Sequence, residues 1–525
     1  MSKGMSRRAF LARTGLGAAG LAVAPRAAAQ MGGGMGGGGM GGSTVVDPPV
    51  SGALRDPPIA QNAAAPGSGV VDVTIRAGIA TVPLNGSEAT LLTYNGSFIA
   101  PTIRARQGDL VRLHFRNDLP FTTDVNLLGH QKNVTNVHVH GWHVSPGNNA
   151  DGVPADNVRV AVPAGGGAQD YEYDLSTQRP GTLALYHPHV HGTVAEQFWG
   201  GLVGALDVAD DPITALQGFE THVVVLKDVT LVSGAPAPYG SLMEYMHGKE
   251  GDLVTVNGQV NPSLSMRPGE VKRLRFLNAS TARFYRVSLE GHTLHVVGSD
   301  GGLLDRPYPV PEILLASGER VDVLVQASAA KGSYKLLALP YARQGNTATP
   351  QLTLMTVQVK GPSAAGAIPA VVNPAAVRLA GDPSMLPRAQ FALSMGQGRG
   401  YINGITFDVL SDGTIRACER HSTVGTEEIW EIVNQSGMDH PWHQHVNDAQ
   451  VIAISGGVEI ASYATLYTHA PAFKDTIIVP KMGSVTLRLP IRDFTGMAMF
   501  HCHILEHEDI GMMGMWHIMD GGMPM

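Results

Sequence analysis

The sequence predicts an all-β fold of three consecutive β domains. Three observations carry that expectation. The chain of 525 residues holds 64 glycines and 34 prolines, a supply of turn formers that suits many short strands. A turn-and-strand unit recurs three times, about 150 residues apart, which is one domain length rather than a solenoid period. Within these units apolar and polar residues alternate, as in Val111, Leu113 and Phe115 against Arg112, His114 and Arg116, the mark of a strand with one buried face.

The segments follow in chain order. Residues 1–29 contain Ser6-Arg7-Arg8-Ala9-Phe10-Leu11, a weakly apolar stretch from Thr14 to Ala24, and Ala27-Ala28-Ala29. That pattern is a twin-arginine signal with a small-residue cleavage site, and it predicts export to the periplasm or beyond. Loss of Lys3, Arg7, Arg8, Arg13 and Arg26 with the signal takes the formal charge from −7 to −12. A negative, unpatterned surface argues against nucleic acid as a partner. No later segment is a long uninterrupted apolar run, so no membrane span is expected. Residues 30–66 read as a flexible Gly/Met-rich tail (MGGGMGGGGMGG at 31–42) and an irregular lead-in, because glycine-rich sequence cannot bury enough surface to offset its ordering entropy.

The first domain, 67–210, has Tyr94-Asn95-Gly96, then Gly108-Asp109 and a strand ending at Asn117. The second, 211–362, has Val256-Asn257-Gly258, then Gly269-Glu270 and a strand ending at Asn278. The third, 363–525, has Ile402-Asn403-Gly404, then Glu427 and a strand ending at Asn434. Asn-Gly provides the positive φ values of a tight hairpin. Pro- and Gly-bearing joints at Asp210-Asp211-Pro212 and between Gly361 and Pro374 suit the boundaries.

The chemistry concentrates near the C-terminus, in His501-Cys502-His503, His507 and Met512. Two imidazoles, one thiolate and a weak thioether are the ligand set of a blue, electron-transfer copper. His-x-His also occurs at His138/His140, His187/His189 and His443/His445, the last preceded by His440. In a strand, residues two apart share a face, so each pair aims two imidazoles into one space. With His501 and His503 there are eight imidazoles, enough for three coppers shared as two, three and three. The same alternation sends Cys502 to the opposite face, so a blue copper would lie behind the strand that feeds the cluster. A structural zinc site would want four Cys and His ligands in one small group, which this is not. Cys418 has no intramolecular partner for a disulfide and reads as a small buried hydrophobe.

This combination resembles the multicopper oxidases, the family of laccases, bilirubin oxidases and bacterial cuprous oxidases, over roughly residues 70–525. The resemblance implies a cupredoxin-like Greek-key β-sandwich for each domain and four coppers per chain. It places a type 1 copper on His440, Cys502, His507 and Met512, and a type 2 copper on His138 and His443. One type 3 copper falls to His140, His187 and His503, the other to His189, His445 and His501. The first motif departs from the family in having Val139 where an aromatic residue is common. Domains one and three then supply four cluster histidines each, so the cluster belongs at their interface, and domain two reads as a spacer and substrate wall.

The resemblance further implies that a reductant gives single electrons near His440 or His507, that Cys502 carries them to the cluster, and that O2 is reduced there to two waters. Asp151 matches the family acid near the type 2 copper, and Glu508 a position associated with proton delivery; the plainer readings are a turn residue and a solvated charge. Ile504 and Leu505 are expected to shield the blue copper. His191 is the best extra ligand candidate, though a supporting role suits it better; His143 and His421 carry weaker signals, and His292 and His295 read as structural. Methionines cluster at Met31, Met35 and Met40 and from Met497 to Met525, while Met243 and Met246 mark domain two; thioethers favour Cu(I). The expected protein is a monomeric, laccase-like oxidase using O2 and a phenolic, aromatic or metal-ion reductant. The alternatives are a cuprous or manganese metallo-oxidase and a copper-sequestering protein with incidental oxidase activity.

Overall fold

Asn95, Asn257 and Asn403 each enter the left-handed region at φ 52°, and the glycines that follow them stand at 74–75°. Each asparagine also braces its hairpin: the Oδ1 atoms accept from the backbone of Arg76, Val225 and Ala392, all at 2.7 Å. The Nδ2 atoms donate to the carbonyls of Thr74, Val223 and Gln390 at 2.7–3.1 Å. The triplicated signal in the sequence is thus a triplicated piece of three-dimensional structure. This computed structural model describes residues 47–149, 151–410, 412–457 and 461–521. The proposed signal and the Gly/Met tail lie outside the described residues.

Three β-sandwiches follow one another. In the first, Ser87–Tyr94, Val70–Leu84, Leu110–Asn117 and Gly167–Asp174 form one sheet; Ala100–Ala105, Gly204–Val208, Leu183–His187 and His138–His140 form the other. The second and third each pair a six-stranded with a five-stranded sheet. The same local topology recurs: the opening strand runs parallel to the strand after the hairpin, as Val70–Leu84 with Leu110–Asn117, Glu220–Val229 with Val271–Asn278, and Arg388–Gly396 with Glu427–Asn434. Asn117, Asn278 and Asn434, at the strand ends, are buried, and each donates from Nδ2 to two carbonyls of neighbouring segments. Such pairing is what a buried amide requires.

The third sandwich holds an aromatic interior of Phe391, Trp430, Trp442, Phe500 and Trp516, with Trp442 and Phe500 stacked at 5.1 Å. Trp442 and Cys502 are register partners, as are His443 and His501. Alternation therefore turns Trp442, Phe500 and Cys502 into this core and His443, His445, His501 and His503 out of it. The lead-in has no strand or helix from Asp47 to Pro66. Its described part, from Asp47, is tied down: Leu54 donates to the Ser263 carbonyl at 2.8 Å, Ala60 to that of Thr102 at 2.9 Å, and Asp47 pairs with Lys335. Its backbone finds partners along the exposed edges of the first two sandwiches, which composition alone does not reveal. No helix among the described residues is long and apolar enough to cross a membrane.

Candidate metal centres

Strand pairing brings the histidine pairs together two by two. His138 is the register partner of His187 in the first sandwich, and His443 that of His501 in the third. The two sheets meet there, and all eight imidazoles are at most 3% exposed. Ligand-capable nitrogens of His140, His187 and His503 lie within 4.8 Å of one another, as do those of His138, His140 and His443. The Nε2 atoms of His189 and His445 stand 3.3 and 3.2 Å from Nε2 of His501. His138 Nε2, His140 Nδ1, His187 Nε2, His443 Nε2 and His503 Nε2 are buried with no hydrogen-bond partner among the described residues. Buried polar atoms are ordinarily satisfied, so a converging set of orphaned imidazole nitrogens fits metal ions of the borderline class that imidazole suits.

Six of the eight rings have the outer nitrogen occupied, which fixes their orientation. His138 Nδ1 donates to Asp156 at 2.9 Å, and His140 Nε2 to Asp475 Oδ1 at 3.1 Å. His187 Nδ1 donates to the Pro188 carbonyl at 2.8 Å, His443 Nδ1 to the Asp475 carbonyl at 3.0 Å, and His501 Nδ1 to the Cys502 carbonyl at 3.1 Å. His503 Nδ1 meets Ser317 Oγ at 3.1 Å. Burial, reinforced by mutual repulsion, lowers the pKa of His187 and His189 to about 3 and holds His138, His140, His445, His501 and His503 well below the ordinary value. Neutral imidazole is the form that binds metal.

A second group sits on the other face of the same strand. His440 Nδ1 and His507 Nδ1 lie 3.4 and 3.6 Å from Cys502 Sγ and 3.2 Å from each other. All three residues, with Met512, are fully buried. Ser436 Oγ holds His440 Nε2 at 2.7 Å, and the Ile504 N–H points at the sulfur at 3.4 Å. Met512 is placed by backbone bonds to His507 and Cys502; a Cβ on Gly400 would come within 2.7 Å of its own Cβ. Burial pushes the Cys502 thiol well above its ordinary pKa, so a cation beside it is what would favour the thiolate. The two imidazoles, sulfur and buried methionine fit a blue copper's donor set.

One acid departs from expectation. Asp151 is exposed in the turn after Asn149, where its backbone N–H bonds the Asn149 side chain. The carboxylate against the cluster is Asp156: both of its oxygens take His138 Nδ1, Oδ1 also accepts from the Val139 N–H at 3.2 Å, and burial raises its pKa to about 7. Both acids lie in one short loop, and only the packing of that loop against the strand His138–His140 separates them. Glu508 is fully buried, 3.5 Å from His189 Nδ1 and 3.3 Å from His501 Nδ1, with both oxygens lacking a hydrogen-bond partner among the described residues. Burial holds its carboxyl well above the usual range.

Domain two is more than a spacer. Besides Ser317, it sends the fully buried Arg320 between the other two sandwiches, where it donates to Asp475 Oδ1 at 2.7 Å and to the Leu183 carbonyl at 2.8 Å. Gly318, at φ +83°, lets the backbone pass His503, whose ring a Cβ would meet at 2.9 Å. Domain two also covers the blue site, since His507 Nε2 donates to the Met246 carbonyl at 3.2 Å. Of the remaining residues, His191 packs on Phe407 and His130 with a buried, unpartnered Nδ1. His143 joins the Val446 carbonyl to Asp493, and Cys418 is buried beside Asn403.

Family models described as multicopper oxidase match residues 77–212, 220–361 and 402–521. Multicopper oxidase mco of Staphylococcus aureus is 28% identical over 444 residues, covering 82% of this chain and 84% of that protein. The laccase of Bacillus subtilis is 28% identical, covering 81% of this chain and 90% of its own length. Among solved structures, a multicopper oxidase from Campylobacter jejuni described as a metallo-oxidase superposes with a TM-score of 0.74 at 26% identity, over 90% of this chain and 96% of that one.

Proposed function

The chain belongs to the multicopper oxidase family, and from that premise we propose that it is a monomeric, laccase-like oxidase, exported through its twin-arginine leader. Bound copper, four ions per chain in this reading, would supply one-electron acceptance at the blue site and four-electron reduction of O2 to two waters at the cluster. His440, Cys502, His507 and Met512 would hold the first; the eight paired histidines would hold the other three in the partition expected from the sequence. The single observation that carries the reading is the shared strand: Cys502 faces one buried donor set while His501 and His503 face another. The chain's own contribution to electron transfer is the covalent path from Sγ through one peptide unit to either ring, with the His501 Nδ1 bond to the Cys502 carbonyl as a shortcut.

Protons are handled by residues beside the rings. Glu508, whose carboxyl is held well above the usual range by burial between His189 and His501, can donate toward the cluster. Asp156, poised at about 7, can hold or release a proton through His138. Asp475 is held ionised by Arg320 and orients His140 instead.

One observation favours a small reductant. The helix Leu242–His247 bears Met243 and Met246 and lies over His507, whose outer nitrogen it occupies. A bulky phenol would find that ring edge covered, whereas a metal ion such as Cu(I) or Mn(II) needs less room. Oxygen uptake recorded with Cu(I) and with a bulky phenol separates the two substrate readings. For the reading as a whole, Cys502→Ser should abolish the blue absorbance and all turnover. Full oxidase activity in that variant would overturn it.

A further inference from the structure

We propose that Glu419, His421 and His517 form a separate copper-binding site on the outer face of the third sandwich. The strands Cys418–Thr423 and Met513–Met519 run parallel with His421 opposite His517, and Gly496–Cys502 places Met497 opposite His517 on its other side. Alternation puts these three side chains in one cross-strand row, with Glu419 in the next. The two imidazoles stack at 4.6 Å and 9°. One carboxylate oxygen, Glu419 Oε2, stands 3.6 Å from His421 Nε2 and 3.8 Å from His517 Nε2.

Those separations are too long for hydrogen bonds, and His517 Nε2 is buried with no partner among the described residues. They are close to the spacing within the blue site, where the donors stand 3.2–3.6 Å apart. Donors that share an ion at about 2.0–2.1 Å lie roughly 3–3.5 Å from one another. Small rotations of His421 and Glu419, whose side chains are 48% and 46% exposed, would close the difference. An ordinary surface histidine pair bonds water or a neighbour; here a buried ring nitrogen is left facing a carboxylate that it does not reach. Two imidazoles and a carboxylate select Cu(II) by the usual affinity order, and the thioether of Met497 in the same row suits Cu(I). Below the row, Met499, Met513 and Met515 are buried in one cluster with Val158 and Phe407. The residue that follows Met499 on that strand face is His501, so the site stands at the outer end of a soft column that ends at the cluster.

The test compares the full copper-loaded chain with its His421→Gln/His517→Gln double variant, dialysed to equilibrium against Cu(II). The parent is expected to retain one more copper per chain, with identical blue absorbance and oxidase rate in both proteins. Glu419→Gln should weaken that extra equivalent about 10-fold or more, the scale of a lost metal contact. If the double variant folds poorly, the single His421→Gln change at an exposed position carries the same comparison. Equal copper counts in parent and variant overturn the proposal, as does tighter binding of Zn(II) than of Cu(II) at these residues.

Discussion

Arg320 of the second sandwich donates to Asp475 of the third, and the same carboxylate takes the outer nitrogen of His140 from the first. One ion pair therefore joins all three sandwiches next to the histidine cluster. Both partners are buried, at 0% and 4% exposure, so neither charge can fall back on water.

Removing the guanidinium should be costly. Arg320→Met strands a buried carboxylate, a change that costs about 3–5 kcal/mol when one partner of a buried pair is lost. Denaturant unfolding and copper content measure it. A variant within about 1 kcal/mol of the parent, with full copper, would show that Asp475 is not held by this contact.

The two acids of the loop after the first histidine pair should behave oppositely. Asp156→Asn is expected to lower activity or cluster copper content about 10–100-fold, as loss of a carboxylate supporting a ligand histidine does. Asp151→Asn, at an exposed turn, should change neither by more than about twofold. The reverse pattern in steady-state rates and metal counts would restore the sequence expectation.

Glu508→Gln keeps the shape of the side chain and removes its transferable proton. Reoxidation by O2 should slow about 10²-fold or more, the usual size of general-acid assistance. The blue absorbance should be unchanged, because Glu508 faces His189 and His501 and not Cys502. Stopped-flow reoxidation at wild-type speed would exclude Glu508 from proton delivery.

Acid should destabilise the metal-free protein. His187, His189 and His440 titrate near 6.5 when unfolded but at about 3 in the folded chain. Between those values the unfolded state binds more protons, so stability is lost as the pH is lowered, by about 1.4 kcal/mol per unit for each ring. Above about pH 7 these rings are neutral in both states and contribute no slope. Urea midpoints of metal-free protein at pH 7 and pH 5 test this; equal midpoints would mean that the rings are not buried neutral.

Much of the site was legible because its spacing is local. His-x-His in a strand puts two rings on one face whatever the rest of the chain does, and Cys502 between His501 and His503 must face the other way. The three Asn-Gly hairpins and the asparagines that end the following strands were legible for the same reason. Asp156 was not, since nothing in the run from Asp151 to Asp156 states which acid the loop turns inward. Ser317, Arg320 and the Met246 carbonyl were not either, because they reach the site from domain two across long stretches of chain. The anchoring of the lead-in was not legible either, because its partners, Ser263 and Thr102, lie in other domains.

The sequence by itself determined the number of sandwiches, the pairing of the histidines and the two faces of the C-terminal strand, all consequences of short-range backbone geometry. Only the tertiary structure decided which carboxylate supports His138, how domain two braces the cluster and covers His507, and that His421 meets His517. Those contacts exist only where packing turns a loop inward or brings separate sheets or strands side by side.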